Sequence, residues 1–372
     1  MGFWDRLFGN KKDPSAGAAG DDRVVTMTQT FTLGPDTAMR DIQDDAVAAL
    51  DAALKALSPG AEVMHAIDPG RIRAFASGGP AAWSVGSIAL PGPVPSVVFI
   101  TYGLSHLVDA AASQEGIGYE LSIRVPAADV AAMPLWPALL LRGLARYVMM
   151  TGAQLNVGDV FPAGQPITRW ALAPAEKAAA PDTHLRQLTV VADPDLPEVE
   201  TARGPIRIHR VYGLTDGELE LIEPWRAAGF VEKALAFDPT LTTGLGRACM
   251  AADPELVAHM RAGSEREGST IGGFAVPGLR FEEDAEGVSL RFPEGSAERV
   301  LRLILARLPF GRPLHIADPT GAPGTSVVLH PTDDGDGGLS MENGTLHIAL
   351  PQDYPGLAGL HEADGSAVVW QM

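Results

Sequence analysis

Two different hydrophobic periods stand back to back between Tyr119 and Val148, and no other stretch limits the fold as much. In Tyr119–Val125, the residues Tyr119, Leu121, Ile123 and Val125 point one way and Glu120, Ser122 and Arg124 the other. That period of two marks a strand with one covered face. Pro126 stops it. Pro134 and Pro137 then open a helix, where a missing N–H costs little. Leu140, Leu144, Tyr147 and Val148 form the buried stripe of this helix, and Arg142 and Arg146 sit four apart on another face. One fold must therefore hold both kinds of element.

The rest of the chain repeats the mixture. Ile42, Ala46, Ala49, Leu50, Ala53, Leu54 and Leu57 recur at helical spacing over Asp41–Leu57, and Ser58-Pro59-Gly60 ends that helix. Val97–Thr101, Leu188–Ala192 and Ile206–Tyr212 read as strands. Thr215-Asp-Gly-Glu218 is a capping-box sequence, so a helix starts at Asp216 and Pro224 ends or bends it. Asp253-Pro254 caps a further helix that runs to about Arg266. Pro277-Gly278 marks a boundary. Beyond it, Phe281–Phe292 reads as a hairpin turning at Asp284–Gly287, and Ala297–Leu308 as an amphipathic helix with Val300, Leu301, Ile304, Leu305 and Leu308 inward. Leu314–Ala317, Ser326–His330, Leu346–Leu350 and Ala367–Trp370 are candidate strands. The predicted class is α+β: a mixed, mainly antiparallel sheet covered by helices, plus a smaller α+β C-terminal domain.

Composition limits the partners. A chain of 372 residues predicts two or three domains, and its 46% apolar content is ample for their cores. Lys+Arg 28 against Asp+Glu 46 gives a net charge of −18. A phosphate backbone would be repelled, so no nucleic-acid partner is expected, whereas a basic protein would be steered in. The single Cys249 excludes an internal disulfide and a cysteine-rich metal site. No secretory signal or membrane-spanning run stands out; Pro134–Val148 comes closest, but Arg142 and Arg146 interrupt it. A cytoplasmic protein is the expectation. In Met1–Lys12, Phe3, Trp4, Leu7 and Phe8 share one helix face and Lys11-Lys12 follow. Membrane contact is expected only through that segment, which could equally dock on a protein. Asp13–Asp22 reads as a flexible linker. The predicted organisation is a tail over 1–22, a main domain over 23–276 and a C-terminal domain over 279–372.

Catalytic chemistry finds little support. The nine histidines form no HxxxH, HxH or HxxE pattern, and no P-loop or GxSxG elbow occurs. His106, His184 and His209 read as surface or hydrogen-bonded histidines. Asp193-Pro-Asp195 could offer oxygens to calcium, while Asp333-Asp334-Gly-Asp336 lacks the glutamate of an EF-hand loop and reads as a solvated turn. Glu120 and Arg124 lie on one strand face, where they could pair with each other or reach a bound peptide. Trp136 and Trp225 read as core. No catalytic residue, cofactor or metal site is expected.

Several ordered blocks resemble the suppressor of fused family. They are Phe99-Ile-Thr-Tyr-Gly-Leu-Ser-His-Leu, Ile117–Pro126, Pro134–Val148, Leu155-Asn-Val-Gly-Asp-Val-Phe161, Leu188–Pro197, Thr201–Ile206 and Val211–Leu219. The resemblance covers roughly Asp68 to Phe274 and does not extend over Met1–Arg40 or Leu279–Met372. His106 stands where the family usually has an acid, and Thr242-Thr243-Gly244 lacks the usual Asp. The family contains a eukaryotic inhibitor of a signalling transcription factor and many bacterial members, some associated with toxin–immunity systems. The resemblance implies a bacterial-type, non-catalytic protein-binding module that sequesters or neutralises a partner polypeptide by clasping an extended segment. It implies that Phe99 and Tyr102 flank the peptide cleft and that Asp109 lies near an acidic family position. Glu120 and Arg124 complete the candidate partner-binding set. The alternative is an enzyme with a small-molecule site in the cleft between lobes.

Overall fold

The computed structural model of the protein describes residues 31–32, 36–65, 84–105, 108–109, 117–130, 136–170, 172, 177–202, 204–284, 287–318, 321, 325–332, 338–352, 360–362 and 367–371. The segments Met1–Lys12, Asp13–Asp22 and Asp333–Asp336 lie outside the described residues. Two compact units form among those described, one from residues 31–216 and 231–249, the other from 217–230 and 250–371. They interleave along the chain.

The first unit is built on a mixed sheet. Its strands are β2 (Met64–His65), β3 (Ser84–Leu90), β4 (Ser96–Tyr102), β6 (Tyr119–Pro126), β7 (Val160–Pro162), β8 (Leu185–Ala192), β9 (Glu198–Val199) and β10 (Ile206–Thr215), in the order β2-β3-β4-β6-β10-β8-β7 with β9 beside β10. Only β6 and β10 run parallel; the other neighbours are antiparallel. A separate two-stranded ribbon pairs β1 (Phe31–Thr32) with β5 (Val108–Asp109). Helix α1 (Asp36–Leu57) lays Ala46, Leu50 and Leu54 on Ile88, Val98, Ile100, Ile206 and Ile208 of the sheet. Helix α2 (Trp136–Thr151) packs on β4 and β6 through the expected stripe of Leu140, Leu144 and Val148, with Tyr147 half-buried.

The alternation expected for Tyr119–Val125 holds, but both faces of the strand are covered. Glu120 and Ser122 are as fully enclosed as Leu121 and Ile123. A central strand with a neighbour on each side, α2 on one face and the turns at 103–105 and 193–195 on the other has no wet face, so its polar side chains must find partners inside the protein.

The second unit holds all but the first residue of α3 (Asp216–Ile222), which starts at the expected position, and only the first turn of α4 (Ala227–Phe237). Helix α5 (Pro254–Glu267) begins behind Asp253, whose carboxylate accepts from the Glu255 and Leu256 amides at 2.8 Å. The indole of Trp225 lies against α5, and its N–H donates to Glu267 at 2.8 Å. A Cβ on Gly263 would stand 2.4 Å from that ring, so the glycine inside the helix is a requirement of close approach.

One sheet of this unit runs β11-β14-β15-β17-β16, from β11 (Gly273–Ala275), β14 (Leu314–Ala317), β15 (Ser326–Thr332), β16 (Gly338–Glu342) and β17 (Thr345–Pro351). The other runs β12-β13-β19-β18, from β12 (Arg280–Asp284), β13 (Gly287–Pro293), β18 (Leu360–Glu362) and β19 (Ala367–Gln371). Helix α6 (Glu294–Arg307) covers a core of Leu314, Ile316, Val327, Leu329, Leu346, Ile348, Val288, Leu290 and Phe292. Its inward stripe is Val300, Leu303, Ile304 and Leu308. Leu305, expected inside, is 51% exposed, because the stripe runs through Leu303 and turns Leu305 onto the flank.

Candidate partner-binding region

Glu120 shows what the central strand does with a charge it cannot send to water. The carboxylate accepts from the Gly103 and Ser105 amides at 2.9 and 3.0 Å, from the Leu104 amide at 3.2 Å, and from the Thr101 and Ser105 hydroxyls at 2.6 Å each. Thr101 Oγ1 in turn accepts from the Leu121 amide at 2.9 Å. Burial pushes the carboxyl above its usual range, and the hydrogen bonds from Ser105, Thr101 and Gly103 pull it back. Three successive amides converging on one carboxylate lock the chain that leaves β4. Glu120 therefore does not pair with Arg124, as their shared face suggested.

Arg124 reaches the opposite way along the face. Its Nη1 contacts Asp195 at 3.1 Å and its Nε donates to Ser96 at 2.9 Å. Asp195 also takes Nη2 of Arg210 at 3.0 Å. Arg210 is wholly enclosed and grips Asp193 with Nε and Nη2 at 2.9 and 2.8 Å, while its Nη1 donates to the Thr240 carbonyl at 2.8 Å. Asp193 further accepts from the Ser122 hydroxyl and from the Asp195 and Leu196 amides. The register explains the cluster: Ser122 lies beside Arg210 in the parallel β6–β10 pair, and Val191 lies opposite Arg210 on β8, two residues before Asp193. Asp193-Pro-Asp195 is thus a turn closed by arginines, not a calcium loop. Sequence reading had passed over Arg210; its signal was a lone cation inside the apolar run Ile206–Tyr212.

Phe99 and Tyr102 are each 1% exposed and lie on opposite faces of β4. Phe99 stands opposite Ile123 on β6. The Tyr102 hydroxyl donates to Asp51 of α1 at 2.6 Å, and its ring meets His65 edge-on. Burial and then Asp51 push the phenol well above its usual range. Neither ring reaches the surface, so either can influence a partner only through the strand it fixes. Asp109 is a backbone partner of Phe31 in the β1–β5 ribbon. The five candidates therefore do not converge on one open surface.

A pair outside the candidate set controls the loop after α2. Tyr119 and His209 stack with centroids 4.4 Å apart. The Tyr119 oxygen accepts from the Leu155 amide, and His209 Nδ1 donates to the Leu155 carbonyl, both at 2.9 Å. The carbonyl can only accept, so Nδ1 carries the proton. Burial raises the Tyr119 phenol to about 12 and lowers the His209 imidazole. Two rings on adjacent strands thus hold both peptide groups of Leu155. No set of three or more metal-ligating side chains is gathered among the described residues, and no described helix is long and apolar enough to cross a membrane.

Comparison with known proteins gives one consistent answer. Residues 79–248 match the family described as suppressor of fused protein. The suppressor of fused homologs of Homo sapiens and Mus musculus are each 26% identical over 193 residues, 48% of this chain and 38% of the relative. The match therefore spans about two fifths of the length of those relatives. The crystal structure of Drosophila suppressor of fused is similar in fold, with a TM-score of 0.61 at 18% identity over 83% of this chain and 88% of the other.

Proposed function

We propose that this chain, whose residues 79–248 match the suppressor of fused family, is a non-catalytic module that binds another polypeptide and holds it as an extended segment. The finer reading is neutralisation of a cognate toxin in an immunity pair. One observation carries the proposal. The ionisable side chains at the centre of the family domain are spent on building it: Glu120 on the turn after β4, and Arg124, Arg210, Asp193 and Asp195 on one another. A site that turned over a substrate would need acids, bases or nucleophiles poised toward a ligand. A rigid sheet with its polar groups satisfied inside suits strand addition, in which backbone hydrogen bonds give affinity and side-chain pockets give selectivity. The net charge of −18 favours a basic partner and predicts that association slows as salt rises.

The test is affinity purification of the full chain from its own host, with mass spectrometry of everything retained. The expected result is a polypeptide held at fixed stoichiometry, whose association rate falls between low and moderate salt. Retention of a small molecule at fixed stoichiometry with no polypeptide overturns the proposal.

A further inference from the structure

The strand β16 breaks the pattern of the sheet it belongs to. It is an edge strand, paired only with β17 among the described residues. Its five residues, Gly338-Leu-Ser-Met-Glu342, are all exposed. Leu339 stands opposite Ile348 and Met341 opposite Leu346, so both point to the face that makes the core of this unit. There they are 49% and 50% exposed, whereas Leu346 and Ile348 are buried. The apolar stripe of the sheet thus runs one strand further than its cover.

The turn settles which backbone groups are offered. Asn343 and Gly344 have φ of 50° and 78°, a two-residue type I′ turn closing the hairpin at Glu342 and Thr345. In such a hairpin the closing pair is hydrogen-bonded and the pairs alternate from there. Gly338, Ser340 and Glu342 therefore address β17, and the N–H and C=O groups of Leu339 and Met341 point away from it. Natural edges are commonly guarded by lysine, proline or a bulge. β16 has none of these, and its register with β17 is unbroken.

In the sequence the charges next to this edge are acidic: Asp333, Asp334 and Asp336 precede β16 and Glu342 ends it, and from Pro313 to Met372 there is no lysine or arginine. A second copy of the chain would bring the same acids to the contact and be repelled. We infer that β16 is a docking edge for an extended basic segment of another protein, one that alternates apolar residues with lysine or arginine. Its backbone would pair with Leu339 and Met341, its apolar side chains would cover the same two residues, and its cations would meet the acidic surroundings. The inference rests on the protein-binding reading above and gives the edge and the chemistry of the partner.

The probe is the heptapeptide Lys-Val-Lys-Val-Lys-Val-Lys, capped at both ends and labelled, titrated against the full chain in low salt. Met341→Pro removes an outward N–H without touching the β17 ladder, and is expected to weaken binding about tenfold, the loss of roughly one hydrogen bond. Met341→Lys keeps the backbone and adds repulsion, and serves in its place if the proline variant does not fold; the same loss is expected. The peptide Glu-Val-Glu-Val-Glu-Val-Glu should bind at least about tenfold more weakly than the lysine peptide. Equal binding of the lysine peptide by the wild type and the folded variants overturns the inference, as does equal binding of the two peptides. A self-association that Met341→Pro abolishes also overturns it, because the occupant would then be a second copy. If a natural polypeptide partner is captured equally by the wild type and Met341→Pro, this edge is wrong and the protein-binding reading stands. If neither captures any polypeptide, that reading itself falls.

Discussion

Arg210 holds both oxygens of Asp193 with two N–H groups at 2.8 and 2.9 Å, and neither side chain has any exposed area. Such a pair contributes little net stability when intact, because desolvation offsets the attraction, but breaking it strands a buried charge. Arg210→Leu or Asp193→Leu alone should therefore destabilise the first unit by about 3–5 kcal/mol. The double variant should be more stable than either single one. Urea melts of the four proteins check this, and additive losses would show that the pair is not coupled.

Phe99→Ala should lower stability by about 3–5 kcal/mol, because the ring is 1% exposed and opposite Ile123. Tyr102→Phe keeps the ring and removes only the bond to Asp51, so about 1 kcal/mol is expected. Affinity for a partner should not change in Tyr102→Phe once the protein is folded. A large loss of affinity with unchanged stability would place the phenol in a contact after all.

The His209 imidazole gives a pH dependence of definite sign. Burial lowers its pKa below the ordinary 6.5, so the folded state disfavours the imidazolium. A lowered folded value means stability that is fully present above the unfolded pKa and is lost as pH falls through the folded one. Denaturation midpoints should thus fall as pH drops below 6.5. In His209→Phe, which keeps a ring against Tyr119, the fall should be shallower, although the variant is weaker at neutral pH. Equal slopes in the two proteins would remove His209 from the account, and an NMR titration of its ring gives the shift directly.

Gly263→Ala introduces a Cβ that would lie 2.4 Å from the Trp225 indole. An exposed helical glycine would gain stability from alanine, but here overpacking should cost about 1–3 kcal/mol. Tryptophan fluorescence should report a displaced indole, and a stabilised variant would show that α5 can shift to make room.

The sequence alone determined the local elements wherever a period was long and clean. The strand Tyr119–Pro126, the helix behind Pro134 and Pro137, the starts of α3 and α5 and the hairpin of β12 and β13 follow from spacing, capping and proline chemistry, which act within a few residues. The ordered blocks also carried the resemblance that the family match over residues 79–248 repeats, because motif order survives where overall identity is low. Strands with weak alternation, such as β3 and β16, were not legible, since pairing rather than propensity makes them strands. Nor could the sequence say that the polar face of β6 is dry. Only the placement of β4 on one side and β10 on the other, with the 103–105 turn on Glu120 and the Thr240 carbonyl on Arg210, encloses Glu120, Ser122 and Arg210, and that enclosure turns Asp193 into the partner of an arginine 17 residues away. Local periodicity fixes which way a side chain points; what it meets there depends on strands distant in sequence, and hence on the tertiary structure.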